Sequence, residues 1–132
     1  MRLAMVGITP TVLPARTADA DVIATRRGKA CTLQVKTMGA AGRTVVDMHP
    51  ERILLPDFLV IVALNVPGHY RAEPGSPIAY VLPRAAVRRA WHLGGYVHER
   101  RPGLRVGRPG VRDFLARYEE AWDFVARKVG DV

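Results

Sequence analysis

Residues 21–37 read DVIATRRGKACTLQVKT, and this stretch decides the predicted fold. The β-branched and aliphatic residues of 22–25 and 30–37 predict two short strands, and the polar, glycine-containing segment 26–29 predicts a hairpin turn between them. If the middle two residues of that turn form the loop, the numbers of paired residues sum to 55, so that Asp21 lies opposite Gln34. A bulge or a three-residue loop would shift this pairing by one position.

The two strands bring three polar side chains together. Side chains alternate across a strand, so Gln34 and Lys36 project to one face and Leu33 and Val35 to the other. In either register the carboxylate of Asp21 lies within one side-chain length of that amide and that ammonium group. Carboxylate and amide oxygens are hard ligands that can hold Mg²⁺, and a nearby lysine can orient an attacking water. The cluster has the parts needed to hydrolyse a phosphodiester, although the spacing alone favours a solvated surface hairpin.

The rest of the chain supplies further strands and helices. Residues 58–64 form a continuous apolar run that is typical of a strand covered on both faces. The remaining patterns predict one or two helical turns within 1–8, strands at 43–48 and 78–82, and helices at 84–93 and 111–129. Strands and helices in this order, around a buried central run, predict an α/β or α+β sandwich.

The composition is that of a basic globular protein. The chain of 132 residues predicts one domain, 1–132, and it carries 20 Lys and Arg against 12 Asp and Glu, a formal net charge of +8. This excess favours a polyanionic partner, most simply nucleic acid, and arginine suits forked contacts with phosphate oxygens. A biased genomic base composition would produce the same arginine enrichment, and this remains the alternative.

Several other classes of protein are excluded or disfavoured. One cysteine, Cys31, excludes an internal disulfide framework and a cysteine-rich zinc module, and it predicts a small core residue instead. The four histidines are scattered, without the spacing of a zinc site. The longest apolar run is too short to cross a bilayer, and no secretory leader opens the chain. We therefore expect no membrane partner and a cytoplasmic location.

Two basic segments are candidates for contact with nucleic acid. The turn at 26–29 is expected to point outward near the polar cluster, and 94–110 is expected to form a basic flap or hairpin along a phosphate backbone, with Tyr96 available to stack. The candidate contact residues are Arg26, Arg27, Lys29, Arg100, Arg101 and Arg105. Solvated, mobile charge is the alternative interpretation for both segments.

The hairpin resembles the core of the PD-(D/E)XK, or restriction-endonuclease-like, nucleases. In that superfamily an aspartate on one strand is followed by (Glu/Asp/Gln)-x-Lys on the next, and here 21–24 read DVIA and 34–37 read QVKT. The Gln-x-Lys form is a minority variant that includes some homing endonucleases. An apolar strand opened by Asp57, and a strand at 78–83 leading into a helix, are also similar, so that the resemblance covers 18–89.

The resemblance implies a mixed β-sheet flanked by helices, with a short or truncated N-terminal helix. By the same resemblance, Asp21, Gln34 and Lys36 are the catalytic residues, Lys36 positions the water, and Mg²⁺ or Mn²⁺ is held by Asp21, Gln34 and the backbone carbonyl of Val35. DNA is then the expected substrate, and a homodimer is one assembly that the resemblance allows, the oligomeric state being left open by the sequence.

Two departures from the family pattern leave a second hypothesis open. Gln34 is neutral where most active members carry a carboxylate, and no acidic residue precedes Asp19, although members often carry a glutamate on the first helix. The alternative is a catalytically inactive relative that serves as a DNA-binding or assembly module. A protein-interaction subunit with no role in nucleic-acid binding is a third.

Overall fold

The computed structural model describes residues 8–12, 21–38, 45–49, 52, 55–63, 78–98, 100–106 and 108–129. Eight strands and three helices lie within these ranges. The strands are β1 (Thr9–Val12), β2 (Val22–Arg26), β3 (Lys29–Met38), β4 (Val45–Asp47), β5 (Phe58–Ala63), β6 (Ile78–Pro83), β7 (Gly95–His98) and β8 (Arg101–Arg105). The helices are α1 (Arg84–Gly94), α2 (Pro109–Ala116) and α3 (Asp123–Lys128). The predicted N-terminal helical turns, within 1–8, lie almost wholly outside the described residues.

The larger sheet is mixed, as predicted. Its strand order is β1-β2-β3-β5-β6. The strands β1, β2 and β3 form an antiparallel meander, β3 pairs in parallel with β5, and β5 pairs antiparallel with β6. A parallel pair needs a crossover connection, and the connection between β3 and β5 contains β4. The expected mixed α/β fold is thereby confirmed.

The β2–β3 hairpin has the predicted register. The pairs run from Val22 opposite Leu33 to Arg26 opposite Lys29, around a two-residue loop. Arg27 and Gly28 have φ values of 50° and 82°. Positive φ at both loop positions is the requirement of a type I′ turn, whose twist matches that of the flanking strands. The local chemistry of the turn therefore fixes the register of the whole hairpin.

The core lies on both sides of the larger sheet. On β5, Leu59 and Ile61 belong to one buried cluster together with residues of α1, α2, β4 and β8, which we call the α1-side core. Phe58 and Val60 belong to the other cluster, with residues of β2 and α3, which we call the α3-side core. Because both faces of β5 are buried, apolar residues follow one another along it without the polar residues that a solvent-facing side would require.

A second, smaller sheet has the strand order β4-β8-β7. It confirms the predicted short strand near 43–48 and shows that 94–110 contains a β-hairpin, β7–β8. Leu104 of β8 and Val46 of β4 are paired and buried in the α1-side core, so one face of this sheet is covered and the other is turned away from the core.

The prediction of one C-terminal helix over 111–129 is wrong. The chain forms α2 and α3 with a break between them, in which Glu120 has a φ of 51°. The break pairs with the outer edge of β6: the N–H of Val81 donates to the carbonyl of Tyr118 (3.0 Å), and the N–H of Glu120 donates to the carbonyl of Ala79 (2.7 Å). Satisfying these edge groups replaces the hydrogen bonds that a continuous helix would have made.

No helix within the described ranges is long and apolar enough to cross a membrane.

Candidate functional site

Asp21 directly precedes β2 and is hydrogen-bonded to the backbone of β3. Its N–H donates to the carbonyl of Leu33 (2.9 Å), and its Oδ2 accepts a hydrogen bond from the N–H of Val35 (2.8 Å). The last paired residues of the ladder are Val22 and Leu33, so the carboxylate extends the hydrogen bonding by one step. Asp21 is exposed, and its carboxylate is held beside β3.

The carbonyl of Val35 points to the same edge of β3 as the Asp21 carboxylate. Within a strand, the N–H and C=O of one residue are directed to the same neighbouring strand. The N–H of Val35 faces Asp21, so its C=O faces that side too, beyond the last ladder pair of β2. The Asp21 carboxylate and the Val35 carbonyl, two of the groups predicted to bind a metal, therefore lie along the same edge of β3.

Gln34 and Lys36 share a face of β3. Gln34 is paired in parallel with Leu59, and Lys36 with Ile61, and both of these partners belong to the α1-side core. The strand register thus places Gln34 and Lys36 on one face, whereas Asp21 precedes β2 and meets β3 through the N–H of Val35.

The amide oxygen of Gln34 is an orphaned polar atom. Its Oε1 is buried and has no hydrogen-bond partner among the described residues. Leaving a buried acceptor unsatisfied costs about 1–3 kcal/mol, so a water or an ion bound to this oxygen would be stabilising. Carboxylate, amide and carbonyl oxygens are hard donors that suit Mg²⁺ or Mn²⁺, and the residues present therefore fit such an ion. Within the same ranges, no three His, Cys, Asp or Glu side chains lie close enough together to hold a metal.

The basic turn lies at the other end of the hairpin. Arg26, Arg27 and Lys29 surround the loop at which β2 and β3 meet, whereas Asp21 stands at the opposite end of β2. The five steps from Lys29 to Gln34 along β3 span about 17 Å at the rise of an extended strand. Arg27 and Lys29 are exposed, as expected for an outward-pointing turn, but the turn lies five steps along the ladder from Asp21 and Gln34.

The other basic candidates lie on the smaller sheet. Arg105 stands over the ring of Tyr96, with its Cζ 4.9 Å from the ring centroid, and its Nε donates to the carbonyl of Gly94 (3.4 Å). One face of the Tyr96 ring is therefore covered by a guanidinium group and not by solvent. Arg100 and Arg101 lie apart from this pair, at the tip of the β7–β8 hairpin, and both line a surface cleft.

Sequence reasoning missed a carboxylate network at the start of β5. The Oδ2 of Asp57 accepts hydrogen bonds from the N–H (2.9 Å) and the Oγ1 (3.3 Å) of Thr32, and its own N–H donates to that Oγ1 (3.0 Å). Arg84 forms an ion pair with Asp57 Oδ1 (3.6 Å) and donates to the carbonyls of Pro56 and Leu55. This network joins β3 to the beginnings of β5 and α1. The sequence signal for this network was Asp57, an aspartate directly before the apolar run of β5.

Cys31 is a core residue, as predicted. Burial raises the pKa of its thiol to about 11, with a further increase from the negative charge of Asp57 and an opposing effect from Lys128. A thiol with a raised pKa stays protonated at neutral pH and is a poor nucleophile and metal ligand. Cys31 therefore fills space in the α3-side core.

Comparison with known proteins identifies the fold. No protein-family model matches the chain, and no curated protein matches it. Among solved structures, the bacterial homing endonuclease I-Ssp6803I is similar, with a TM-score of 0.56 and 22% sequence identity, over 97% of this chain and 83% of that one. This likeness agrees with the mixed sheet that the PD-(D/E)XK resemblance implied. The chain therefore has a fold similar to that of a solved homing endonuclease.

Proposed function

We propose that this chain is a nuclease of the PD-(D/E)XK type that binds DNA and hydrolyses its phosphodiester bonds with the help of Mg²⁺ or Mn²⁺. One observation carries the proposal: the Asp21 carboxylate lies against Val35, inside the Gln-x-Lys segment, on neighbouring strands of an endonuclease-like fold. The net charge of +8 supports a polyanionic substrate.

Asp21, Gln34 and the carbonyl of Val35 would hold the metal ion. A bound divalent cation would polarise the phosphate and lower the pKa of a bound water. The orphaned Oε1 of Gln34 supports this donor set, because a buried amide oxygen without a hydrogen bond is stabilised by a cation. The hydrogen bond from the Val35 N–H fixes one oxygen of Asp21, which leaves the other oxygen free to be a ligand.

Lys36 is the residue proposed to act on the water. It is half-buried and lies two residues beyond Gln34 on the same strand, so it shares the face of Gln34. An ammonium group there attracts the phosphate, orients the attacking oxygen and offsets the negative charge that accumulates as the P–O bond breaks. Lys36 is thus a catalytic residue in this proposal.

The test is nicking of supercoiled plasmid in the presence of Mg²⁺ or Mn²⁺. Cleavage is expected for the unaltered chain and is expected to be abolished by a chelator, by Asp21→Asn and by Lys36→Ala. Asn retains an oxygen that can accept the Val35 N–H, so Asp21→Asn should fold. Asp113→Asn and Lys128→Ala make the same charge changes at exposed helical positions and serve as matched controls. Equal nicking by all five proteins would refute the assignment of these residues.

The second candidate function is DNA binding without cleavage. Gln34 is neutral and attracts a cation less strongly than a carboxylate would. Within the described ranges, no three His, Cys, Asp or Glu side chains lie close enough together to hold a metal. Both observations favour this second function. Under this hypothesis, DNA affinity is unchanged by chelator, and no metal concentration produces nicking.

A further inference from the structure

The smaller sheet carries a charged cleft on the face that is turned away from the core. The cleft has a volume of about 230 Å³ and is lined by Asp47, His49, Arg100, Arg101 and Pro102. Water occupies about 30 Å³ per molecule, so the cleft has room for a hydrated phosphate group.

The strand register explains why these side chains converge. Val46 and Met48 point into the α1-side core, so Asp47 and His49, which alternate with them, point outward. Asp47 is opposite Gly103 of β8, and the N–H of Met48 donates to the carbonyl of Pro102 (3.0 Å). The end of β4 therefore lies directly beside the β7–β8 turn.

The backbone at the tip of this hairpin favours glycine over arginine. Arg100 has a φ of 65°, in the left-handed region that side-chain-bearing residues rarely adopt. Non-glycine residues in that region cost free energy and occur preferentially at functional sites. Arg100 and Arg101 both line the cleft, whose described lining contains one carboxylate, that of Asp47.

We propose that this cleft binds a phosphate group of a nucleic-acid backbone, through Arg100 and Arg101 with His49 as a further donor. The inference rests on the proposed function, because it assumes a nucleic-acid partner, and it adds a second contact surface on a different sheet from Asp21. Guanidinium groups form forked hydrogen bonds with phosphate oxygens, which distinguishes a phosphate site from a general basic surface.

The strand next to the cleft, β7, favours contact with the phosphate backbone of a nucleic acid over contact with its bases. Tyr96 is opposite Gly103, on the same outward face as Asp47, and its ring is covered by Arg105. Because that ring face is already occupied, the surface next to the cleft offers positive charge rather than an open stacking platform. Asp47 opposes a polyanion, so its removal should strengthen binding.

The test is fluorescence anisotropy with a labelled duplex of about 20 base pairs, measured in chelator so that the metal site plays no part. We expect Arg100→Gly and Arg101→Ala each to weaken binding about three- to ten-fold, and to lower the slope of log K against log salt by about 0.9 per lost phosphate contact. Asp47→Asn should strengthen binding. Arg112→Ala removes the same charge from the exposed face of α2 and should change affinity by less than about two-fold.

The design separates the two proposals. Glycine is favoured at the φ of Arg100, so Arg100→Gly should retain the melting temperature, and Arg101→Ala provides an independent variant. If the unaltered chain binds duplex while both variants lose no more affinity than Arg112→Ala, the phosphate cleft is refuted and the proposed function stands. If the unaltered chain does not bind duplex at low salt, both proposals are wrong.

Discussion

The Oδ2 of Asp21 accepts the backbone N–H of Val35 at 2.8 Å, and this contact makes one side chain both a structural element and a candidate ligand. It closes the end of the β2–β3 ladder where the paired residues stop. A carboxylate held in this way keeps one orientation before any ion or substrate arrives, which lowers the entropic cost of ligand binding.

The contribution of this hydrogen bond to the free energy of unfolding can be measured separately from any role in metal binding. Asp21→Ala removes the acceptor and should lower the free energy of unfolding by about 0.5–1.5 kcal/mol, whereas Asp21→Asn should lower it by less because the amide oxygen can replace the carboxylate. Urea denaturation of the three proteins checks this. A loss for Asp21→Asn as large as that for Asp21→Ala would contradict the ladder-closing role.

Asp57 should contribute more to stability than Asp21. It is partly buried, and its carboxylate accepts two hydrogen bonds from Thr32 and pairs with Arg84. Removing it in Asp57→Ala should cost about 1.5–3 kcal/mol, the range for hydrogen bonds to a charged group. A double-mutant cycle with Thr32→Val should show coupling between the two residues, and additive losses would contradict the network.

The tip of the β2–β3 hairpin should show a trade-off between stability and binding. Arg27 has a φ of 50° in a type I′ turn, where asparagine followed by glycine is preferred. Arg27→Asn should therefore raise the free energy of unfolding by about 0.5–1 kcal/mol while weakening duplex binding. Thermal melts and anisotropy on the same preparations test both effects. Stability that falls with the substitution would show that the arginine side chain supports the turn itself.

Two glycines should respond oppositely to alanine. A Cβ at Gly94 would meet the side chain of Val111 across the contact between α1 and α2, and Gly94→Ala should cost about 1–3 kcal/mol through overpacking. At Gly110, on α2, a Cβ would enter open space, and Gly110→Ala should raise stability by about 0.5–1 kcal/mol through helix propensity. Each variant is the control for the other in denaturant unfolding.

The thiol of Cys31 should be unreactive in the native protein. Its pKa is raised from 9.0 to about 11, mainly by burial, so that folding favours the neutral thiol. The stability from this preference is fully present below pH 9 and should be lost as the pH rises towards about 11, where the unfolded thiol ionises first. Thiol-reagent kinetics at pH 8, with and without urea, check the burial. Rapid labelling without urea would contradict it.

The hairpin register was predictable because its determinants are adjacent in sequence. The pair of residues at 27 and 28 specifies the turn, and the turn specifies every pair as far as Val22 and Leu33. The common face of Gln34 and Lys36 follows from strand alternation alone.

The errors arose where contacts join distant segments. The break between α2 and α3 forms because residues 118–120 pair with β6, almost forty residues earlier, and the apolar stripe of 111–129 gives no sign of it. The network of Asp57 with Thr32 spans 25 residues. The separation of the basic turn from the polar cluster, five steps along the hairpin, was already contained in the predicted register.

The length of β3 has a consequence for how a duplex would lie on the protein. About 17 Å separates Lys29 from Gln34 at the rise of an extended strand. A phosphate group at the arginine-bearing tip would therefore be distinct from one beside Gln34, so a duplex that touches both ends of the hairpin must do so through two separate phosphates.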